Sequence, residues 1–324
     1  MPFSSQVLFF DIQYSPDNNL GIGVINLSQN LAILGQNLFS GLSIGGVYAL
    51  VALGIAMIYR STGVTNFAQG DITMLGAYVL FLFSEGLKLP YLLSFILALL
   101  VMGVFGLLFE LGVYFPLRNR SYLPVIIATI GAGILFQNGA LVIFGSQPQK
   151  VRPIIDVGGG GGITLGGVFL DYQYLVIFGV TVVLVAFQYL FFEYSSLGKK
   201  MQATAQDKVM AQLLGIPIAF MIALTFIYST LLGGLAGMLV APIFFVTHKL
   251  GISLGLKAFA ATICGGFGNV LGAIIGGLAI GVVESLGAAY ISPVYKDAFP
   301  FMLLLIFLLF RPQGIFGEKV AEKA

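Results

Sequence analysis

The chain has 324 residues, 58% hydrophobic and 9% charged, with a formal net charge of +2 and a mean hydropathy of +1.01. Soluble domains carry about 25% charged residues, so this composition excludes a water-soluble globular protein and fits an integral membrane protein. The small net charge gives no basic footprint for nucleic acid, and the single cysteine, Cys264, excludes a disulfide within the chain.

Residues 1–34 read as a polar extension before the first span. No Lys or Arg occurs before Arg60, so the basic segment of a secretory signal is missing. A spanning helix needs about 20 mostly apolar residues. That requirement predicts spans over 36–59, 71–84, 90–116, 122–144, 172–193, 218–241, 270–290 and 296–310. The piece 255–266 is shorter and fits either a re-entrant half-helix or a short crossing. The fold class is an all-α polytopic membrane protein of about eight to ten transmembrane helices, with re-entrant or half-helices allowed.

Lys and Arg concentrate on cytoplasmic loops. Arg60, Arg118, Arg120, Lys199, Lys200 and Lys208 then fall inside, which puts the N-terminus outside. The loop 145–171, with its glycine tract at 158–162, falls outside. Arg311, Lys319 and Lys323 argue for a cytoplasmic C-terminus, which requires a crossing near 255–268.

The most informative stretch is 41–79. A glycine-rich helix breaks at Thr65-Asn66-Phe67-Ala68-Gln69-Gly70-Asp71, and a second apolar helix follows. Free backbone groups in hydrocarbon have no water to bond, so the break belongs at a surface or inside protein. Its place just after Arg60 favours a structural turn on or near the cytoplasmic side. In that turn Asn66 and Gln69 satisfy backbone groups and Asp71 caps the returning helix. The pairs Gly41/Gly45, Gly233/Gly237, Gly272/Gly276 and Gly277/Gly281 have the spacing that lets membrane helices approach closely.

Asp71, Glu110, Glu193 and Glu284 are the acidic residues within or at the ends of spans. Glu284 is the deepest and is a candidate buried polar site, with a structural partner role favoured over proton or sodium binding. No array of buried charge is expected, which disfavours an ion-coupled carrier. His248 stands apart from any ligand cluster, so no metal is expected. The chain lacks a Walker A sequence, paired carboxylates and a nucleophile elbow. An enzyme reading and a cofactor are therefore not supported.

Ser195 to Pro217 is polar yet helical in pattern. Ser195 or Ser196 can cap its start, and Met201, Ala205, Val209 and Leu213 form one apolar stripe. Gly215 suits a C-terminal cap, and Pro217 suits the first turn of the next helix. Such a helix either lies on lipid or docks a cytoplasmic protein.

The stretch 41–79 resembles the signature of permease subunits of branched-chain amino acid ABC importers of the LivH type. The match runs through Tyr48-Ala49-Leu50, Ala52-Leu53-Gly54, Met57, Tyr59, Gly63, Asn66-Phe67-Ala68, Gly70, Met74 and Gly76-Ala77-Tyr78. It departs at Gln69, where the family usually has histidine, at Asp71, where glutamate is common, and at Arg60, where glycine is common. Gly265-Gly266, Gly268, Val283-Glu284-Ser285 and the ending Arg311-Pro312-Gln313-Gly314-Ile315-Phe316-Gly317 are similar to later family motifs.

The resemblance implies an ABC importer permease fold over 35–317, with a short charged tail at 318–324. It implies a bacterial plasma (inner) membrane location and four kinds of surroundings. These are a second, LivM-like permease, two ATP-binding subunits, an extracytoplasmic solute-binding protein and the lipid bilayer. ATPase docking would fall on 197–215, through Gly198, Lys199, Lys200, Met201, Asp207, Val209, Leu213 and Gly215. Asn66, Phe67, Gln69, Gly70 and Asp71 would be the family-signature loop. The implied solute is a branched-chain or related amino acid, with urea or an amide as the alternative in the same family. A stand-alone secondary carrier or channel is the alternative outside it.

Overall fold

A computed structural model describes residues 22–154, 161–165 and 167–317. Residues 1–21, most of the 158–162 glycine tract and the tail 318–324 lie outside the described residues. Among the described residues, eleven α-helices follow one another: α1 (Ile22–Thr62), α2 (Gln69–Phe81), α3 (Tyr91–Phe109), α4 (Tyr122–Phe144), α5 (Tyr172–Tyr194), α6 (Ser196–Gln206), α7 (Lys208–Leu213), α8 (Ile218–Val240), α9 (Leu250–Gly265), α10 (Val270–Tyr290) and α11 (Ala298–Phe310). A hairpin of β1 (Gly162–Leu165) and β2 (Val168–Asp171) precedes α5. Six helical stretches among the described residues are long and apolar enough to cross a membrane: Asn30–Thr62, Tyr91–Leu117, Tyr122–Phe144, Tyr172–Tyr194, Ile218–Val240 and Val270–Tyr290.

The helix ends follow the local chemistry. Gly63 closes α1 in the left-handed region at φ 80°, and its N–H donates to the Tyr59 carbonyl at 2.7 Å. The Asp171 carboxylate accepts from Gln173 N–H at the start of α5, and the Asn269 side chain accepts from Gly272 N–H at the start of α10.

Three expectations change. The expected spans 71–84 and 296–310 are not among the six membrane-length stretches; they fall on the shorter helices α2 and α11, of 13 residues each. The helix α1 begins at Ile22, so the second part of the supposed 1–34 extension is helical. Its polar Asn and Gln residues obscure a run that contains no proline. The piece 255–266 is the greater part of a continuous helix, α9, of 16 residues. At 1.5 Å per residue it is about 24 Å long, short of the roughly 30 Å hydrocarbon core. Its C-terminal end holds the last described segment: Ile315 N–H donates to Cys264 O and Phe316 N–H to Gly265 O, both at 2.9 Å. The Phe267 ring packs edge-on to Tyr59 at 4.4 Å, so residues 311–317 sit at the Arg60 end of α1.

The helices divide into a core and a ring. The most apolar window of α1 is 89% buried, whereas those of α4 and α5 are each 17% buried. Residues 47–53 of α1 are all buried, as is most of α2. Val142 and Ile143 on α4 and Leu309 and Phe310 on α11 are left exposed. Apolar side chains facing outward all round a bundle are what lipid contact requires.

Every small-residue pair singled out in the sequence meets another helix. A Cβ on Gly41 would lie 2.9 Å from Ser285 Cβ, and one on Gly45 would lie 2.8 Å from Leu278 Cα. Gly281 faces Gly45 in return, Gly277 faces Ala49, Gly237 faces Thr73, and Gly272 and Gly276 face Gly265 and Ala261. The α1–α10 seam and the α2–α8 seam are therefore backbone-to-backbone contacts that a methyl group would part. Gly179, in the middle of α5, has open space around it. Gly281→Ala is expected to lower stability by about 1–3 kcal/mol through overpacking. Gly179→Ala is expected to be neutral or stabilising by about 0.5–1 kcal/mol. Unfolding in mixed micelles checks both, and equal effects would contradict the seam.

Candidate functional site

The polar break does not sit at the end of the bundle, where a surface turn would be. Its contacts fall halfway along the neighbouring helices. Gln69 Nε2 donates to the backbone carbonyl of Ser229 at 3.0 Å, and Ser229 is the central residue of α8. The Ser229 hydroxyl is shared between Gly54 O at 2.9 Å and Gln69 Oε1 at 3.1 Å. Asp71 lies against Gly133, the central residue of α4, and accepts from Gln137 Nε2 at 2.8 Å. The chain thus leaves α1 at Gly63, folds back alongside it, and starts α2 inside the protein.

Asn66, Gln69 and Asp71 each have a hydrogen-bond partner. Asn66 Oδ1 accepts from Ala68 N–H at 3.1 Å, as a turn-forming Asn does. Phe67 N–H donates to Thr129 Oγ1 on α4 at 3.3 Å. Asn66, Gln69 and Asp71 are 2%, 1% and 6% exposed, so these bonds replace solvent that cannot reach them. The expected cap by Asp71 is absent: residue 68 is the N-cap and makes no side-chain cap bond. Asp71 instead sits in the first turn, where its charge still opposes the helix dipole. A cavity of ≈180 Å³ opens beside the break, lined by Phe67, Gln69, Gly70, Asp71, Gln137 and Phe259.

Glu284 is buried, and its partner carries a signal that the sequence reading did not use. Lys257 Nζ lies 2.6 Å from Glu284 Oε1 and 2.6 Å from Asp297 Oδ1. Tyr48 O–H donates to Glu284 Oε2 at 2.8 Å. Lys257 and Tyr48 are 4% and 1% exposed. This cluster ties α1, α9 and α10 to the segment before α11. The signal was a lone lysine in the apolar run 255–266, a residue that membrane interiors admit only with a partner. Of the other acidic residues, Glu110 is buried at the start of a π-helical turn and Glu193 is exposed.

The segment Ser195–Pro217 forms two helices where one was expected. Ser195 Oγ accepts from Leu197 N–H at 3.2 Å and caps α6. Asp207 then leaves the helical region, and its carboxylate accepts from Val209 N–H at 2.8 Å and Met210 N–H at 3.0 Å. An Asp that bonds its own downstream backbone ends one helix and caps the next. The break splits the apolar stripe. Met201 is buried against α1 and its neighbours, and Gly198 is pressed on Phe191, while Val209, Met210, Leu213 and Leu214 are 68%, 60%, 76% and 78% exposed. Lys199 and Lys200 are exposed, and Gly215 ends α7 at φ 77°. Lys208 Nζ donates to Thr62 O at 3.2 Å, fixing α7 to the end of α1. Partial burial there lowers the lysine pKa from its usual value.

The ion-pair cluster is testable. Glu284→Ala leaves Lys257 buried with only the exposed Asp297 as an ion-pair partner and is expected to cost about 3–5 kcal/mol. Replacing Lys257 and Glu284 together by Met and Leu is expected to recover most of that loss. Unfolding in mixed micelles measures both, and a Glu284→Ala variant of unchanged stability would contradict the cluster.

Comparison with known proteins follows the same outline. A family model described as "Branched-chain amino acid transport system / permease component" matches residues 37–308. The high-affinity branched-chain amino acid transport system permease protein BraD of Pseudomonas aeruginosa is 36% identical over 301 residues, covering 89% of this chain and 97% of that protein. The corresponding protein LivH of Salmonella typhimurium is 35% identical over 310 residues, covering 92% of this chain and 100% of that protein. Among solved structures, PsaBC from Streptococcus pneumoniae in complex with Fab aligns with a TM-score of 0.50 and 15% identity. It covers 91% of this chain and 98% of that one, a likeness of fold alone. By these matches the chain belongs to the family of permease components of branched-chain amino acid transport systems.

Proposed function

We propose that this permease forms, with a second permease, the membrane path of an importer for branched-chain or related amino acids. ATPase subunits docked on 197–215 drive it, and an extracytoplasmic binding protein delivers the solute. The reading of the solute class is supported by the names of the relatives.

The observation that carries the docking is the apolar end of α7. Four large apolar side chains stand exposed at the Arg60 end, on the same α6–α7 element as the exposed Lys199, Lys200 and Lys208. The positive-inside tendency puts that end in the cytoplasm, with the C-terminal segment 311–317 beside it and the N-terminus outside. An exposed apolar knob flanked by charge fits a groove in a soluble partner better than a lipid surface, where a helix lies along its length. The seat is firm because α6 is packed on α1 and α8 and because Lys208 is bonded to the end of α1. Force applied at α7 therefore reaches the core helices through two attachments.

Asn at an N-cap serves as well as Asp. So Asp207→Asn is expected to keep uptake within about twofold, while Asp207→Arg lowers it at least tenfold with unchanged membrane insertion. Normal uptake and normal ATPase stimulation in Asp207→Arg would sink the docking reading. The solute class is read separately, as ATP-dependent uptake of leucine, isoleucine and valine into proteoliposomes that contain the whole importer. Uptake of urea or amides without these amino acids would replace it.

A further inference from the structure

A second cavity, of ≈210 Å³, lies at the Arg60 end between α1, α5, α6, α8 and α10. It is separate from the polar break and from the Lys257 cluster. Its lining is mostly apolar, with Met57, Phe192, Met201 and Ile274 forming the walls. Gln188, on α5, is 2% exposed and lines this cavity. Neither its Nε2 nor its Oε1 has a hydrogen-bond partner among the described residues. The other buried polar side chains there are satisfied: Ser61 bonds Ile58 O and Thr225 bonds Met221 O within their own helices. A buried amide with both ends unpaired is rare in a folded protein, because burial of each end is unfavourable without a partner. Here the amide presents its NH2 donors and its carbonyl acceptor to a mostly apolar space.

Two exposed charges of opposite sign, Arg60 and Glu193, complete the lining. Among the described residues neither has an ion-pair partner within 4.0 Å; the salt bridges found lie elsewhere. A guanidinium suits a carboxylate, which it can bind through two parallel bonds. A carboxylate suits an ammonium. The size limits the ligand: drug-sized ligands need about 300–1,000 Å³, so this space takes a smaller solute and excludes a nucleotide.

We propose that this cavity binds a free amino acid with an aliphatic side chain, entering from the cytoplasm, and that its occupancy slows the importer. The α-carboxylate lies on Arg60, the α-ammonium on Glu193, the side chain among Met57, Phe192 and Ile274, and Gln188 bonds the ligand's polar end. Met201, Gln202 and Ala205 of α6 form one wall. The ligand therefore bridges α6 to α1 and α5 and favours the arrangement in which α6 is seated as observed. A ligand shifts an equilibrium by its differential affinity for the two states, so a product held here opposes movement of α6 during the ATP cycle. The effect is feedback by imported solute, and it rests on the amino acid reading given above.

The test uses the detergent-purified importer containing this chain, without its binding protein, and L-leucine as the probe. Radiolabelled leucine is expected to bind and to lower basal ATPase activity at least twofold. Arg60→Gln and Glu193→Gln are each expected to weaken both effects at least tenfold in leucine concentration. Both substitutions are at exposed positions, so folding is kept, and uptake into leucine-free proteoliposomes is expected to stay within about twofold of wild type. Absence of leucine binding, or binding and inhibition unchanged in both variants, overturns the proposal. An importer that fails to take up leucine yet binds it in an Arg60-dependent way sinks the import reading and leaves the pocket standing.

Discussion

The structure depends on one constraint: a helix that starts inside the protein must satisfy its backbone and its polar flank without water. Gln69 and Ser229 meet that constraint. One glutamine amide bonds a carbonyl in the middle of α8, and one serine hydroxyl links that amide to Gly54 of α1. Asn66 and Thr129 bond the turn that leads in. These bonds tie α1, α2, α4 and α8 at the depth where unpaired groups are least tolerated. The glycine seams are a consequence, because short side-chain bonds across helices require backbones close together. Gly76 against Gly234 and Gly237 against Thr73 supply that closeness on either side of the triad.

Around this centre the molecule is layered by what each helix can touch. The core helices bury small residues on all sides, and the ring helices present Leu, Ile, Val and Phe outward. The cluster of Lys257, Glu284, Asp297 and Tyr48 closes the other end of the α1–α9–α10 group. The α6–α7 element lies outside both layers, joined to them by the buried Met201 and by the Lys208–Thr62 bond. The chain is a permease subunit, and the docking proposed above would act through these mechanical connections. A rigid centre with one protruding element is the arrangement expected of a part moved from outside.

Much of this was legible in the sequence. Six of the eight expected spans, the small-residue pairs, the cap at Ser195 and the terminator at Gly215 follow from local rules that act within a few residues. The break at 65–71 was visible as polar residues between apolar helices. Its depth was not, because depth is set by α4 and α8, which lie far along the chain. The same applies to Lys257, whose three partners are 27 to 209 residues away. Asp207 was misread for another reason. Its neighbours fit a continuous helix, and only the side chain's preference for its own backbone breaks it. Gln188 carries no sequence signal at all: one glutamine in an apolar helix reads as ordinary until the space beside it is known.

The departure from the family pattern at Gln69 gains meaning from this geometry. An amide can donate and accept at once, and Gln69 does both with Ser229. The most direct measurement is a double-mutant cycle between Gln69→Leu and Ser229→Ala, read as unfolding free energy in mixed micelles. Residues that share a hydrogen-bond network couple by about 0.5–3 kcal/mol. A coupling in that range is the expected result. Additive effects, with no coupling beyond error, would contradict a helix start held inside the bundle by this pair.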